Sequence, residues 1–182
     1  MQLRPHQLKA IKAMLRHNKG QVIVPTGGGK TICMIQDAIE QFKSDTLKTI
    51  VVVAPRILLA NQLCEEFLEF IGDVDVLHVH SGETHHDSTT KSKVIEEWCW
   101  ASKRHQLIFT TYHSLHKIQD ATTVLVDTVY FDEAHNAVQR NFIEAVEHHS
   151  MYAPRNYFFT ATPKHSYTPF KVGMNDTDIF GR

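Results

Sequence analysis

Short apolar runs that alternate with longer amphipathic stretches constrain this chain more than any other feature. Six runs have the length of buried strands: "QVIVP", "TIVVVAP", "DVDVLHVH", "QLIFTTYHSL", "DTVYFDEAHN" and "RNYFFTATP". Apolar residues recur at helical spacing in most of the stretches between them. Strands that are apolar on both faces and alternate with helices form a parallel sheet covered on both sides. We therefore predict an α/β fold with a mainly parallel sheet and helices on both faces.

Composition sets limits on the class of protein. The chain has 182 residues, which fits one domain, and a formal net charge of −1, so contact with nucleic acid would need local patches. The first residues lack the apolar core of a signal peptide, and every apolar run is too short to span a bilayer. The cysteines Cys33, Cys64 and Cys99 are scattered and odd in number. This usage indicates a reducing compartment, and we predict an intracellular, cytoplasmic protein.

A glycine-rich segment, "PTGGGKTICMI" at 25–35, lies between the first predicted strand and the next helix. Such a turn lets backbone N–H groups approach phosphate oxygens, and the helix dipole points at the same anion. Lys30 can then reach the β- and γ-phosphates of a nucleotide, and the Thr31 hydroxyl can ligate Mg²⁺. The strict phosphate-loop pattern requires glycine where Val24 stands, and a glycine connection without a ligand is the alternative interpretation. The strand–loop–helix context favours phosphate binding.

An acidic pair follows a later predicted strand, in "VYFDEAHN". Asp132 can hold Mg²⁺, usually through water, and Glu133 can orient and deprotonate an attacking water. An isolated Asp-Glu pair at the end of a strand more often caps a helix. The glycine loop, "DEAH" and "TATP" each follow a strand, so all three are expected at one edge of the sheet, where ligands bind in such folds. Beside a phosphate loop, the catalytic interpretation of the acidic pair is favoured.

These segments carry a family resemblance. "PTGGGKT", "DEAH" and "TATP", in this order, resemble motifs I, II and III of superfamily 2 helicases and translocases, whose first motif accepts a residue such as Val24. "LRPHQ", "VVAPRILLANQ" and "FTTYHSL" are weaker matches to an adenine-reading motif, motif Ia and a backbone-contacting motif. The resemblance is strongest to motors of restriction enzymes and to phage or repair DNA helicases. It implies a RecA-like P-loop NTPase lobe that binds ATP and Mg²⁺ and acts on nucleic acid, DNA more than RNA.

The resemblance also implies roles for individual residues. Glu133, Asp132 and Lys30 would be catalytic, with Thr31 and Asp132 as the magnesium ligands. The residues expected to bind the nucleotide are Gln7, Arg4, Thr26, Gly27, Gly28, Gly29, Lys30 and Thr31. The residues expected to couple nucleotide state to nucleic-acid binding are His135, Thr160 and Thr162. The residues expected near the nucleic-acid backbone are Pro55, Arg56, Thr110 and Thr111.

The same resemblance predicts how the chain is organised. Residues 1–170 are expected to form the ATP-binding lobe, and residues 171–182 to begin a linker to a second RecA-like lobe. Nothing in the sequence resembles that second lobe, which supplies arginine fingers in the family. Because an arginine finger contributes about 10³–10⁵ in rate in P-loop enzymes, the chain alone is expected to hydrolyse ATP slowly and not to unwind a duplex.

Other functions stay open at this point. One alternative is a translocase that does not unwind DNA, such as the motor of a restriction complex. Another is an ATP-binding regulatory module without turnover, although the intact Lys30, Thr31, Asp132 and Glu133 disfavour it. A small-molecule kinase is disfavoured by "DEAH", by "TATP" and by the lack of a lid segment.

The chain is rich in histidine, with 13 in all. His78 and His80 can share one face of a strand, since side chains alternate along it. Metal sites need three or four convergent ligands, which usually show ordered spacing in the sequence. The histidines here show no such spacing, so the sequence disfavours a zinc site.

Overall fold

The computed structural model of the chain describes residues 2–25, 29–82, 84–167 and 172–181. The strands are β1 (Lys19–Ile23), β2 (Thr49–Ala54), β3 (Val74–Val79), β4 (Asp87–Ser88), β5 (His105–Thr111), β6 (Thr128–Phe131) and β7 (Arg155–Thr160). The helices are α1 (Pro5–Arg16), α2 (Lys30–Gln41), α3 (Ile57–Phe70), α4 (Ser92–Ala101), α5 (Leu115–Asp120), α6 (Ile143–Tyr152) and α7 (Thr177–Phe180). A 3₁₀ turn at Ala134–Asn136 lies between β6 and α6.

All seven strands join one parallel sheet in the order β1-β7-β6-β2-β5-β3-β4. The prediction of a parallel sheet is therefore confirmed. β7 lies between β1 and β6, with Ile23 opposite Thr160 and Phe131 opposite Phe158. This order brings the carboxyl ends of β1, β7 and β6 together, so the segments that follow them meet at one edge.

The sheet is buried on both faces, as the apolar runs predict. Alternate residues of β2 point to opposite sides: Val51 and Val53 pack in one core cluster, Ile50 and Val52 in the other. The first cluster lies under α4, α5, α6 and α7, and the second under α1, α2 and α3. Full burial of such a side chain stabilises the fold by about 1.5–3 kcal/mol, so the two clusters fix the helices on both faces.

A buried ion pair connects α2 to the sheet. Asp37 is fully buried on α2, and both its oxygens accept hydrogen bonds from the Arg155 guanidinium at 2.7 and 2.8 Å. The Tyr130 hydroxyl of β6 also donates to Asp37 at 2.5 Å, and Arg155 donates to the Met14 carbonyl of α1 at 3.2 Å. Burial alone would lower the pKa of Arg155, but the Asp37 carboxylate outweighs this effect and raises it. The pair fixes α2 against the strands that end at the predicted active site.

Several short elements differ from the sequence-based expectations. β4 is not among the six predicted strands: Asp87 and Ser88, in a polar segment, extend the sheet and pair with β3. Helices α5 and α7 were not predicted, because each has too few residues for a clear period. α6 begins only at Ile143. The residues before it form successive tight turns, such as Phe142 N–H to the Gln139 carbonyl at 2.9 Å.

The segment near the end of the chain packs on the lobe. Met174 and Phe180 are fully buried, and Gln21 of β1 donates to the Met174 carbonyl at 2.6 Å. α7 begins with a cap in which the Asp176 carboxylate accepts from the Asp178 N–H. The division into a lobe at 1–170 and a linker at 171–182 stays a prediction. Within the described residues, no helix has the length and apolar character needed to cross a membrane.

Candidate active site

The candidate site lies at the carboxyl edge of β1, β7 and β6. Gly29 and Lys30 begin α2 in the connection after β1, Asp132 and Glu133 follow β6, and Thr160 ends β7. The Val24 N–H donates to the Thr160 carbonyl at 3.1 Å, which extends the pairing of β1 and β7 toward this edge. The predicted convergence of the three segments is thus present for the residues that the structure describes. Thr26, Gly27 and Gly28, which were also predicted to bind phosphate, lie outside those residues.

Lys30 forms ion pairs with both predicted catalytic acids. Its Nζ lies 3.1 Å from Asp132 Oδ1 and also donates to Glu133 Oε1. Burial alone would lower the pKa of Lys30, but the two carboxylates outweigh it and raise the pKa. The lysine is therefore fully charged at neutral pH. This arrangement places one cation and two acids where a phosphate chain with a divalent cation would need them.

Asp132 is 4% exposed, and its backbone is fixed from two sides. Its N–H donates to the Val53 carbonyl at 2.8 Å, and its own carbonyl accepts from the Tyr112 hydroxyl at 2.7 Å. Burial raises the pKa of Asp132, and the charge of Lys30 opposes that rise. A buried carboxylate on a rigid backbone, close to a lysine, fits the oxygen ligands that Mg²⁺ prefers.

Glu133 has an unusual backbone conformation. Its φ of 47° and ψ of 54° lie in the left-handed region, where residues other than glycine are strained by about 1–3 kcal/mol. The conformation is held by Asn136, whose N–H and side-chain amide both donate to the Glu133 carbonyl, at 3.0 and 2.9 Å. The left-handed turn directs the chain away from the strand, so Asp132 and Glu133 both face Lys30.

His135 connects the acids to β7. Its Nδ1 lies 3.0 Å from the Thr160 hydroxyl and 3.6 Å from Glu133 Oε2. The same hydroxyl accepts from the Thr162 N–H at 3.1 Å. The three residues predicted to couple the sites therefore form one connected set with Glu133. Thr162 contributes through its backbone, and its side chain is exposed.

Thr31 is accompanied by an acid that the sequence analysis did not identify. Glu66 on α3 interacts with the Thr31 side chain, and Asp132 is close enough to influence the pKa of Glu66. Burial is the main cause that raises this pKa, Glu69 adds to it, and Thr31 opposes it. No sequence signal marks Glu66, because it lies 35 positions from Thr31 on a different helix. Its position makes it a third carboxylate at the edge of the predicted magnesium site.

Gln7 connects α1 to the start of α2. Its side-chain oxygen accepts from the Arg4 N–H at 2.8 Å, and its Nε2 donates to the Gly29 carbonyl at 3.3 Å. Gly29 has a φ of 77°, and a Cβ at this position would lie 2.1 Å from Gln7 Nε2. Only glycine fits there without displacing Gln7. The Arg4 guanidinium also lies near Gly29, so both predicted nucleotide-binding residues of this segment are beside Gly29.

The four predicted nucleic-acid residues differ in exposure. Arg56 is exposed just before α3, and Pro55 beside it is partly exposed. Thr110 is fully buried in β5, where its hydroxyl donates to the Val79 carbonyl at 2.7 Å, and Thr111 is 4% exposed. In this conformation, Pro55 and Arg56 are the accessible members of the set. The assignment of all four residues stays a prediction.

Comparison with known proteins identifies related sequences and folds. A family profile described as "Type III restriction enzyme, res subunit" matches residues 1–165. A nuclease-deletion mutant of the Type ISP restriction-modification enzyme LlaGI, solved with a DNA substrate mimic, is similar over 100% of this chain and 19% of its own, with 21% identity and a TM-score of 0.76. No curated protein sequence matches the chain significantly.

Two further solved structures share the fold. The Sulfolobus solfataricus SWI2/SNF2 ATPase core in complex with dsDNA has 21% identity and a TM-score of 0.68, over 90% of this chain and 32% of its own. The UvsW helicase from bacteriophage T4 has 14% identity and a TM-score of 0.68, over 100% of this chain and 59% of its own. The chain thus spans about a fifth to three fifths of the length of these proteins. At these identities the likeness confirms the RecA-like fold.

Proposed function

The chain belongs to the family of Type III restriction enzyme res subunits, and from this premise we propose that it is the ATP-binding lobe of a DNA-dependent ATPase motor. The observation that carries the proposal is the contact of Lys30 with Asp132 and Glu133 at the sheet edge that follows β1. A lysine at the start of the helix after β1 faces two acids at the end of β6, two strands away in the sheet, and phosphoryl-transfer chemistry requires such an arrangement of charges.

Each residue has a distinct role in this proposal. Lys30 contacts the β- and γ-phosphates, and the amides at the start of α2 add to the positive potential there. Thr31 and Asp132 would hold Mg²⁺, which supplies charge neutralisation to the phosphate oxygens when bound. Glu133 orients the attacking water and accepts its proton. Phosphate binding competes for the Lys30 charge, so it releases Glu133 from its ion pair and frees this base for the water.

The set formed by Glu133, His135 and Thr160 provides a route for coupling. Loss of the γ-phosphate changes the partners of Glu133, and His135 lies within 3.6 Å of that carboxylate and 3.0 Å of the Thr160 hydroxyl. A change at Glu133 can therefore alter the segment after β7. That segment includes Thr162, whose N–H donates a hydrogen bond to the same Thr160 hydroxyl. We infer that this contact reports nucleotide state to the nucleic-acid side of the lobe.

DNA is the substrate that the family and the fold relatives favour. LlaGI was solved with a DNA substrate mimic, and the Sulfolobus ATPase core with dsDNA. In this chain Arg56 is the one predicted nucleic-acid residue with a full charge, and the net charge is −1. DNA binding by this lobe should therefore be weak and salt-sensitive, because affinity scales with the phosphates neutralised. A second RecA-like lobe would supply further contacts and the arginine finger.

Titration with nucleotides tests the binding role. We expect saturable, Mg²⁺-dependent binding of a fluorescent ATP analogue, and tighter binding of ATP than of GTP. Gln7→Ala should narrow this preference several-fold, because a lost neutral hydrogen-bond partner costs about 1 kcal/mol. Loss of the hydrogen bond between Gln7 and Gly29 would weaken the binding of ATP and GTP to the same extent. The ratio of the two affinities therefore reports only the recognition of the adenine base. Lys12→Ala, an exposed change on α1, is the control. Absence of saturable binding would exclude the nucleotide site, and an unchanged ratio in Gln7→Ala would place adenine reading elsewhere.

A further inference from the structure

A cysteine and two histidines converge beneath α3, away from the candidate active site. The set consists of Cys64 on α3, His78 on β3 and His86 just before β4, and one ligand atom from each lies within 4.8 Å of the others. Cys64 and His78 are buried, and His86 is exposed. We propose that these three side chains bind a divalent transition metal of the zinc type.

The environment of His78 is the main argument for a metal at this set. His78 is fully buried on β3 and stacks on Phe109, with ring centroids 5.5 Å apart. Its Nδ1 pairs with His80 Nε2 at 3.0 Å, whereas its Nε2 has no hydrogen-bond partner among the described residues. A buried polar atom without a partner is costly, by about 1–3 kcal/mol. A metal ion at Nε2 removes that cost.

The neighbouring hydrogen bonds define the proton positions. The Gly82 N–H donates to His80 Nδ1 at 3.2 Å, so neutral His80 carries its proton on Nε2 and donates it to His78 Nδ1. Neutral His78 then carries its own proton on the unpartnered Nε2. Metal binding at Nε2 requires both rings to change tautomer: His78 Nδ1–H donates to His80 Nε2, and the His80 proton moves to Nδ1. Gly82 loses its acceptor, so the segment after β3 adjusts when metal binds.

The chemistry of the set fits zinc. Thiolate sulfur and imidazole nitrogen are ligands that Zn²⁺ favours, at about 2.3 and 2.0–2.1 Å, which places one sulfur and two nitrogens about 3.3–3.6 Å apart. The His86 ring stacks nearly parallel to His78, with ring centroids 5.6 Å apart, so His86 must rotate as well as approach by roughly 1.2–1.5 Å from the 4.8 Å limit to reach this geometry. His86 is exposed and can provide that movement. The neutral imidazole is the form in which histidine binds a metal.

The fourth position would face the cavity beside the set, which is also lined by Glu65 and His85. Water can occupy it, as in zinc sites with three protein ligands. The bound ion supplies the positive charge that stabilises the Cys64 thiolate, and the thiol proton leaves to solvent. A metal here joins α3, β3 and the segment that leads into β4. It would therefore stabilise the edge of the sheet that β4 forms.

Zinc binding to the purified, metal-depleted chain tests the site. We expect one tightly bound Zn²⁺ per chain by competition with a chromophoric chelator, and a higher melting temperature when zinc is present. His86→Ala should weaken binding by at least about 10-fold, since even outer-shell changes at metal sites have effects of this size. His116→Ala is the control, because His116 is an exposed histidine on α5, on the opposite face of the sheet from α3. It should retain the native affinity.

A second measurement identifies the thiolate. Co²⁺ substituted at the site should produce a sulfur-to-metal absorption band in the unmodified chain, and Cys64→Ala should abolish the band. Cys99→Ala, which removes a thiol on α4, should preserve it. Equal zinc affinity in His86→Ala and the unmodified chain would overturn the proposal. Equal loss in His116→Ala, or a thiolate band that survives in Cys64→Ala, would overturn it as well.

Discussion

Replacing Glu133 with glutamine is expected to lower ATP turnover by about 10²–10⁴-fold, the usual contribution of a general base, and to leave Mg·ATP binding intact. The amide keeps the size of the side chain and still contacts Lys30, but it cannot accept the proton of the attacking water. The left-handed backbone of Glu133 is held through its own carbonyl by Asn136, so the substitution leaves this turn in place.

Lys30→Ala should have the opposite pattern, with nucleotide binding itself lost. It removes the cation that contacts the phosphates. It also removes the charge that opposes the effect of burial on Asp132, so the pKa of that carboxyl rises further and Mg²⁺ binding weakens. Lys43→Ala, an exposed lysine just after α2, is the control. Titration with a fluorescent ATP analogue measures nucleotide binding, and phosphate release measures turnover, so the two assays separate the effects of the two substitutions. Equal loss of binding in Lys30→Ala and Glu133→Gln would contradict the assigned roles.

Asp37→Ala is expected to reduce the free energy of unfolding by about 3–5 kcal/mol, because it leaves the Arg155 charge buried without its partner. The side chain of Arg155 is 14% exposed and that of Asp37 is 0% exposed, so water cannot replace the lost contact easily. The Tyr130 hydroxyl loses its acceptor at the same time. Urea denaturation followed by circular dichroism measures the change.

Glu40→Ala, on the same helix, is the matched control for Asp37→Ala. Glu40 pairs with the exposed Lys43, and such surface pairs contribute about 0–1 kcal/mol. A double variant, Asp37→Leu with Arg155→Met, should recover much of the lost stability, because apolar residues of similar volume often replace a buried pair well. If Asp37→Ala costs no more than Glu40→Ala, the pair does not fix α2 as we infer.

The sequence predicts the longer helices and strands because the spacing of their apolar residues is clear. Five of the six residues of β2 are β-branched and all six are buried. The glycine-rich segment and the acidic pair are recognised by their motifs at the ends of predicted strands. The shorter elements depend on tertiary contacts. Asp87 and Ser88 become β4 only because β3 presents an open edge to them, and α7 depends on burial of Phe180.

The active site shows the same division between local and tertiary information. Lys30, Asp132 and Glu133 follow from motif spacing, whereas Glu66 reaches Thr31 only through the packing of α3 on the sheet. The convergence of Cys64, His78 and His86 is equally invisible in the sequence, because the three residues come from a helix, a strand and a loop. The sequence disfavours a zinc site because the histidines show no ordered ligand spacing, and the site proposed at Cys64, His78 and His86 departs from that expectation.

Steady-state phosphate release with and without DNA tests the central claim most directly. The measurement should use this chain and any longer form of the protein that includes residues beyond Arg182, with the Glu133→Gln variant as the control for contaminating ATPases. We predict that DNA stimulates release, that the stimulation falls as salt rises, and that Glu133→Gln abolishes it. Release that depends neither on DNA nor on Glu133 in any form of the protein would contradict a DNA-dependent motor lobe.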